Sequence, residues 1–153
     1  MQMKKFSIFV FGVLLASFSL SSACSFSNEE QKNEVTVEVA KEGGVVEVLY
    51  FHGKQRCATC VAIENETKAL MSGELASLVE EGRVVMKVID ITTDEGKAIA
   101  NKYKISYSSL FVVVKNGDKE KAEDLTRFAF ANARNNPEEY REELKNMIMK
   151  SLK

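Results

Sequence analysis

Two cysteines three positions apart, Cys57 and Cys60, carry the most specific chemistry the sequence offers. They enclose Ala58-Thr59 and follow a short polar loop, Lys54 to Arg56, that comes after an apolar run. From Ala58 onward the residues are good helix formers, so the pair stands where a strand gives way to a helix. Free N–H groups and a partial positive charge at a helix N-terminus favour a thiolate over a thiol. The thiolate is the nucleophile of disulfide exchange, and a second cysteine one turn later can resolve a mixed disulfide. Arg56 and Lys54 are expected to add positive charge and push the same way. His52 is the single histidine; five residues before Cys57, it reads either as a hydrogen-bonded strand-end residue or as a proton acceptor or metal ligand for the cysteines. Glu64 and Glu66, on the same helix, are expected on its solvated face. Ser108 and Ser109 have no base partner that would make a serine nucleophile, so a hydrolase of that kind is excluded.

The third cysteine, Cys24, closes an N-terminal segment with its own logic. Lys4 and Lys5 form a basic start, Phe6 to Leu20 is an apolar run, and Ser21, Ser22 and Ala23 are small. This is the pattern of a secretory signal peptide over residues 1–23, too short for a typical transmembrane helix. A small-residue run ending in Cys resembles the lipobox of bacterial lipoproteins, although Leu20 lies four residues before Cys24 where that family has Leu three before. The resemblance implies lipidation of Cys24 and a chain exported and held on the periplasmic side; ordinary cleavage near Ser22 or Ala23 is the alternative. Residues 24–33 are polar and read as a tether. With Cys24 lipidated, the remaining two cysteines fall in one motif, and a loop that small constrains an unfolded chain too little for a structural staple. The formal net charge is −1, which excludes the basic footprint of a nucleic-acid binder.

The elements that must position the cysteines follow from residues 34–153. Glu34 to Ala40 alternates as a half-buried strand, and Val45 to Phe51 is more continuously apolar and therefore central. A helix after the motif places Cys60, Ile63, Thr67, Leu70 and Met71 near one face, and Gly73 to Glu81 is a second amphipathic stretch. Val84 to Ile91 is a strand, and Asp94 to Tyr103 a helix with Thr93 as N-cap. Leu110 to Val114 is the most apolar stretch after the leader, Asn116-Gly117 is a hairpin signal, and Lys119 to Leu125 returns as an edge strand. Asn136 caps a final helix that opens on Pro137 and lines up Tyr140, Leu144, Ile148 and Leu152. Strands alternating with helices specify an α/β domain whose sheet is mixed, because it ends in a hairpin.

Over this stretch the sequence resembles the thioredoxin-like family. The resemblance is carried by strand Val45 to Phe51, Cys57-Ala58-Thr59-Cys60, strand Val84 to Ile91, Lys102-Tyr103-Lys104-Ile105, and the run Phe111 to Gly117 with its Lys-Asn-Gly turn. It implies a three-layer fold, a central mixed β-sheet flanked by helices. It also implies a thiol–disulfide oxidoreductase in which Cys57 attacks and Cys60 resolves. The partners would be protein or small-molecule thiols and disulfides, with no cofactor and a monomeric chain. The sequence departs from the family in three places. It has no Trp, and Arg56 stands where the family has one; Phe51 stands where the family has a buried Asp; and Ser109 falls at the position of its cis-proline, the only proline being Pro137. Ala58-Thr59 matches none of the dipeptides that mark the well-known reductases, oxidases or isomerases, so the direction of electron flow stays open. The missing proline motivates a second reading, a module in which Cys57, Cys60 and His52 carry cuprous ion. A third is a non-catalytic adaptor.

Overall fold

The computed structural model describes residues 44–153. The expected leader, Cys24, the tether and the expected strand Glu34 to Ala40 lie outside the described residues. Strand β1 (Val45–His52) sends Val46, Val48 and Tyr50 to one face and Glu47, Leu49 and Phe51 to the other, and all six are buried. Burial on both faces is why the segment reads as a run rather than an alternation. β1 pairs in parallel with β2 (Val84–Asp90) and antiparallel with β3 (Ser109–Asn116), which pairs antiparallel with β4 (Lys119–Asp124). The sheet order is β2-β1-β3-β4. A parallel neighbour demands a crossover, and α1 (Ala58–Ser72) with α2 (Ala76–Glu80) supplies it.

Helices cover both faces. Ile63 and Leu70 of α1, with Tyr140, Leu144 and Ile148 of α5 (Pro137–Ser151), pack on the Val46, Val48 and Tyr50 side. Ala100 of α3 (Asp94–Lys102), with Ile105, packs against Leu49, Phe51 and Val113. This is the three-layer α/β arrangement expected from the sequence. Glu47 interrupts the apolar face, held by Lys87 Nζ at 2.7 Å and Lys115 Nζ at 2.8 Å from the two flanking strands. Burial alone would raise its pKa, but the two cations outweigh it and hold the carboxyl below its ordinary range.

One local reading holds and three are corrected. The second amphipathic stretch yields only the five-residue α2, in which no residue is buried; Leu75, just before it, carries the core contact. The hairpin forms at the Asn116-Gly117 signal as expected: its loop is Gly117-Asp118, closed by Asn116 against Lys119, with Gly117 at φ 56°, the position where a type II′ turn wants glycine. Asn136 stands at the N-cap of α5, but its side chain makes no capping bond. Helix α4 (Thr126–Asn132), which the sequence reading did not anticipate, follows β4 directly.

α3 is bounded by specific backbone chemistry. Thr93 Oγ1 accepts from Gly96 N–H at 3.0 Å, as expected. At the other end Ile105 N–H bonds Ala100 C=O and Lys104 N–H bonds Asn101 C=O, a Schellman motif with Lys104 at φ 57° where glycine is usual. A Cβ on Gly96 would stand 1.9 Å from the Asp90 carbonyl oxygen. Gly96→Ala is therefore expected to cost about 1–3 kcal/mol. Lys104→Gly should gain about 1 kcal/mol by relieving the left-handed conformation. Urea unfolding of the two variants checks both signs; an unchanged midpoint for Gly96→Ala would contradict the close approach.

Candidate functional site

The connection from β1 to α1 delivers the cysteines. His52 ends the strand, Gly53 to Arg56 turn the chain, and Cys57 takes up extended backbone (φ −76°, ψ 166°) as N-cap of α1. Its sulfur accepts from the Cys60 backbone N–H at 3.2 Å. A sulfur thus does the work usually left to a Ser, Thr, Asp or Asn oxygen. The first turn of α1 contains no acidic residue, so no carboxylate competes for the positive end of the helix.

Both cysteines are free thiols; Cys57 is exposed and Cys60 buried. Their sulfurs stand 2.7 Å apart, so the bond length of about 2.05 Å is reached with little movement. The Cys57 pKa is lowered, first by the hydrogen bond with the Cys60 thiol and then by the Cys60 backbone N–H. Cys60 also faces Ser108, with Sγ and Oγ 3.8 Å apart. Ser109, which falls at the position of the family's cis-proline, is buried, donates to the Tyr107 carbonyl at 3.0 Å and pairs with Phe51 across the sheet. Ser108 lies one residue before β3, and its hydroxyl is the one that meets Cys60.

Beneath the cysteines lies a polar cluster. Tyr50 O–H donates to the Cys60 carbonyl at 2.7 Å, fixing the first turn of α1 to the central strand. Burial raises the Tyr50 pKa to about 12, so the phenol stays a donor. The Arg56 guanidinium lies over the Tyr50 ring, 5.8 Å from its centroid, and ion-pairs with Glu64. Glu64 pairs also with Lys68. Burial would raise the Glu64 pKa, but Lys68 and Arg56 prevail and keep it lowered. Glu64 is thus buried rather than solvated, and Arg56 is turned inward to a carboxylate rather than left free beside Cys57. Glu66 pairs with Arg141 of α5.

His52 contacts the Gly53 carbonyl through Nδ1 at 3.1 Å, and its ring lies 6.0 Å from that of Tyr50. Among the described residues no group of three or more His, Cys, Asp or Glu side chains is disposed to hold a metal ion. Ser108, Tyr50 and Glu64 are thus the site residues that sequence reading did not single out for a role. The available signal for Glu64 was its spacing, one helical turn after Cys60.

A β-strand leading into a CxxC at the start of a helix, in a mixed sheet of order β2-β1-β3-β4 closed by a hairpin and covered on both faces, is a thioredoxin-like fold. No protein-family model matches the sequence, and no curated protein matches it. Among solved structures it is similar to a thioredoxin from Thermus thermophilus, with 18% identity and a TM-score of 0.45 over 70% of this chain and 76% of that one. It is also similar to a malarial protein, with 20% identity and a TM-score of 0.35 over 57% of this chain and 93% of that one. No helix among the described residues is long and apolar enough to cross a membrane.

The exposed, low-pKa sulfur and its buried neighbour should react unequally. Iodoacetamide is expected to label Cys57 well before Cys60. The Cys57 rate should follow thiolate fraction, falling as pH drops through a midpoint below that of a free cysteine thiol, about 8.5. Mass-spectrometric mapping of the labelled, reduced protein across pH decides this; preferential labelling of Cys60 would contradict the geometry.

Proposed function

We propose that the chain is an exported thiol–disulfide oxidoreductase acting through the Cys57/Cys60 dithiol. The observation that carries this reading is the exposed Cys57 sulfur at the α1 N-cap, 2.7 Å from the buried sulfur of Cys60. In the reducing direction the Cys57 thiolate attacks one sulfur of a substrate disulfide. A Cys57–substrate S–S bond forms, the substrate bond breaks, and the departing thiolate takes a proton from solvent. Cys60 then gives up its proton and attacks the Cys57 sulfur, forming Cys57–Cys60 and releasing the second substrate thiol. Two electrons pass from the dithiol to the substrate, and reversal of the same steps oxidises a substrate dithiol. The Cys60 N–H bond to Cys57 Sγ and the Tyr50 bond to the Cys60 carbonyl support the reading, because they fix both sulfurs before substrate arrives. Export and a lipid anchor on Cys24 belong to the same proposal, since they place the dithiol where disulfides form and persist.

Titration in thiol–disulfide buffers is expected to interconvert the domain between dithiol and one intramolecular disulfide. Cys60→Ser should accumulate a mixed disulfide at Cys57 with a cysteine-containing peptide disulfide, whereas Cys57→Ser should accumulate about tenfold less or none. Equal trapping by both variants, or a wild type that forms no reversible disulfide, would remove the oxidoreductase reading. For the anchor, cells expressing the full chain are fed labelled palmitate: the wild type should incorporate it and Cys24→Ala should not, and equal labelling of the two would refute lipidation at that residue.

A further inference from the structure

Arg56 precedes Cys57 directly, and an unpaired guanidinium there would favour the thiolate by simple Coulomb attraction. The fold withholds that charge. The guanidinium is drawn down over the Tyr50 ring and held by Glu64, a buried carboxylate on α1 one turn after Cys60. The arrangement is not the easiest one for the arginine: its Nε is buried without an acceptor among the described residues, a cost that an outward rotamer would avoid. Two contacts hold the side chain in, the Tyr50 ring and the Glu64 ion pair, and only Glu64 brings a full opposite charge. We propose that Glu64 tunes the cysteine pair: by holding Arg56 inward it keeps a cation from Cys57 and so sets how oxidising the Cys57/Cys60 couple is.

Glu64 acts through Arg56 and is a positioning residue; this inference rests on the dithiol chemistry proposed above. The charged and titratable groups around the pair are Lys54 and Arg56 on the loop, Glu64 and Lys68 on α1, and Tyr50 and His52 on β1. Lys68 shares Glu64 with Arg56, so neutralising Glu64 releases both cations, and Arg56, adjacent to Cys57 in the chain, is the one that can then approach its sulfur. A more stable thiolate stabilises the reduced form and makes the couple more oxidising.

The test is a pair of substitutions with opposite expected signs. Glu64→Gln keeps the shape and removes the charge. It is expected to move the Cys57 alkylation midpoint to lower pH and shift the thiol–disulfide equilibrium constant about two- to fivefold toward the dithiol. Arg56→Met keeps the apolar stem and removes the cation. It should move both readouts the other way by a similar factor, with the double variant between the two. Arg56→Lys, which keeps the charge but not the planar fork, should stay closer to wild type than Arg56→Met, and circular dichroism confirms that each variant is folded. If the cluster only braces the fold, both single variants loosen the same contact and shift the readouts in one direction; that result, or no shift in either, overturns the proposal. Should the wild type form no reversible disulfide, the oxidoreductase reading fails by itself, and the alkylation midpoints still decide whether Glu64 controls Cys57.

Discussion

The first turn of α1 leaves backbone N–H groups without intrahelical partners, and one of them is answered by the Cys57 sulfur. That single contact ties the fold to the chemistry. The helix needs an acceptor at its N-cap, and the acceptor provided is the atom that must become an anion to react. Deprotonating Cys57 strengthens the bond that starts the helix, since an anionic acceptor binds an N–H more strongly than a neutral one. Local stability of the α1 start and nucleophilicity of the site therefore rise together. The rest of the site can be understood as what holds this turn in place: Tyr50 pins the Cys60 carbonyl from below, and β1, flanked on both sides by paired strands, holds Tyr50.

The central strand performs this because its two faces are given different tasks. On the α1 side Val46 and Val48 pack in the larger core and Tyr50 presents a hydroxyl at the end nearest the cysteines. On the α3 side Leu49 and Phe51 close a smaller core. Tyr50 reaches helix α1 with its oxygen while its ring carries Arg56; a phenylalanine would keep the packing and lose the bond to Cys60. A buried hydroxyl pair, Thr67 Oγ1 and Tyr140 O–H at 2.7 Å, joins α1 to α5 farther along. α1 is thus fixed by hydrogen bonds from the sheet below it and from the helix beside it, which is what keeping two sulfurs at a fixed separation requires.

The sequence discloses these features unevenly, for physical reasons. β1, α1, β2, α3, β3 and α5 are legible because each has a strong periodic pattern or a terminal residue of definite chemistry, such as Thr93 or Pro137. α4 is not: its N-cap is Leu125, whose side chain makes no capping bond, and its one buried residue is Ala129. Cys57 and Cys60 are legible because their spacing matters more than their surroundings. Glu64 is misread because a lone glutamate on a helix is ordinarily solvated, and its burial depends on Arg56 eight residues earlier meeting it in space. Counting back from the hairpin finds Ser109, the first residue of β3, whose hydroxyl turns to the Tyr107 carbonyl; the hydroxyl beside Cys60 belongs to Ser108, one residue before the strand. Spacing along the chain carries the motif; pairing across it carries the environment.

The departures from the family pattern bear on chemistry more than on architecture. Without a buried Asp at position 51, the nearest buried carboxylate to the pair along α1 is Glu64, and it is committed to two cations. A carboxylate whose pKa is held down by ion pairing is a poor proton acceptor, so Glu64 is unsuited to take the proton from Cys60 when that thiol attacks. Ser108 Oγ, 3.8 Å from the Cys60 sulfur, accepts a hydrogen bond there but has no base behind it. In the proposed exchange, resolution by Cys60 would draw its proton acceptor from solvent or from the leaving thiolate itself, and the asymmetry of the pair would set the order of events. On the proposed reading, an incoming disulfide meets the exposed Cys57 first, and the buried Cys60, its sulfur 2.7 Å away, enters only once the mixed disulfide has formed.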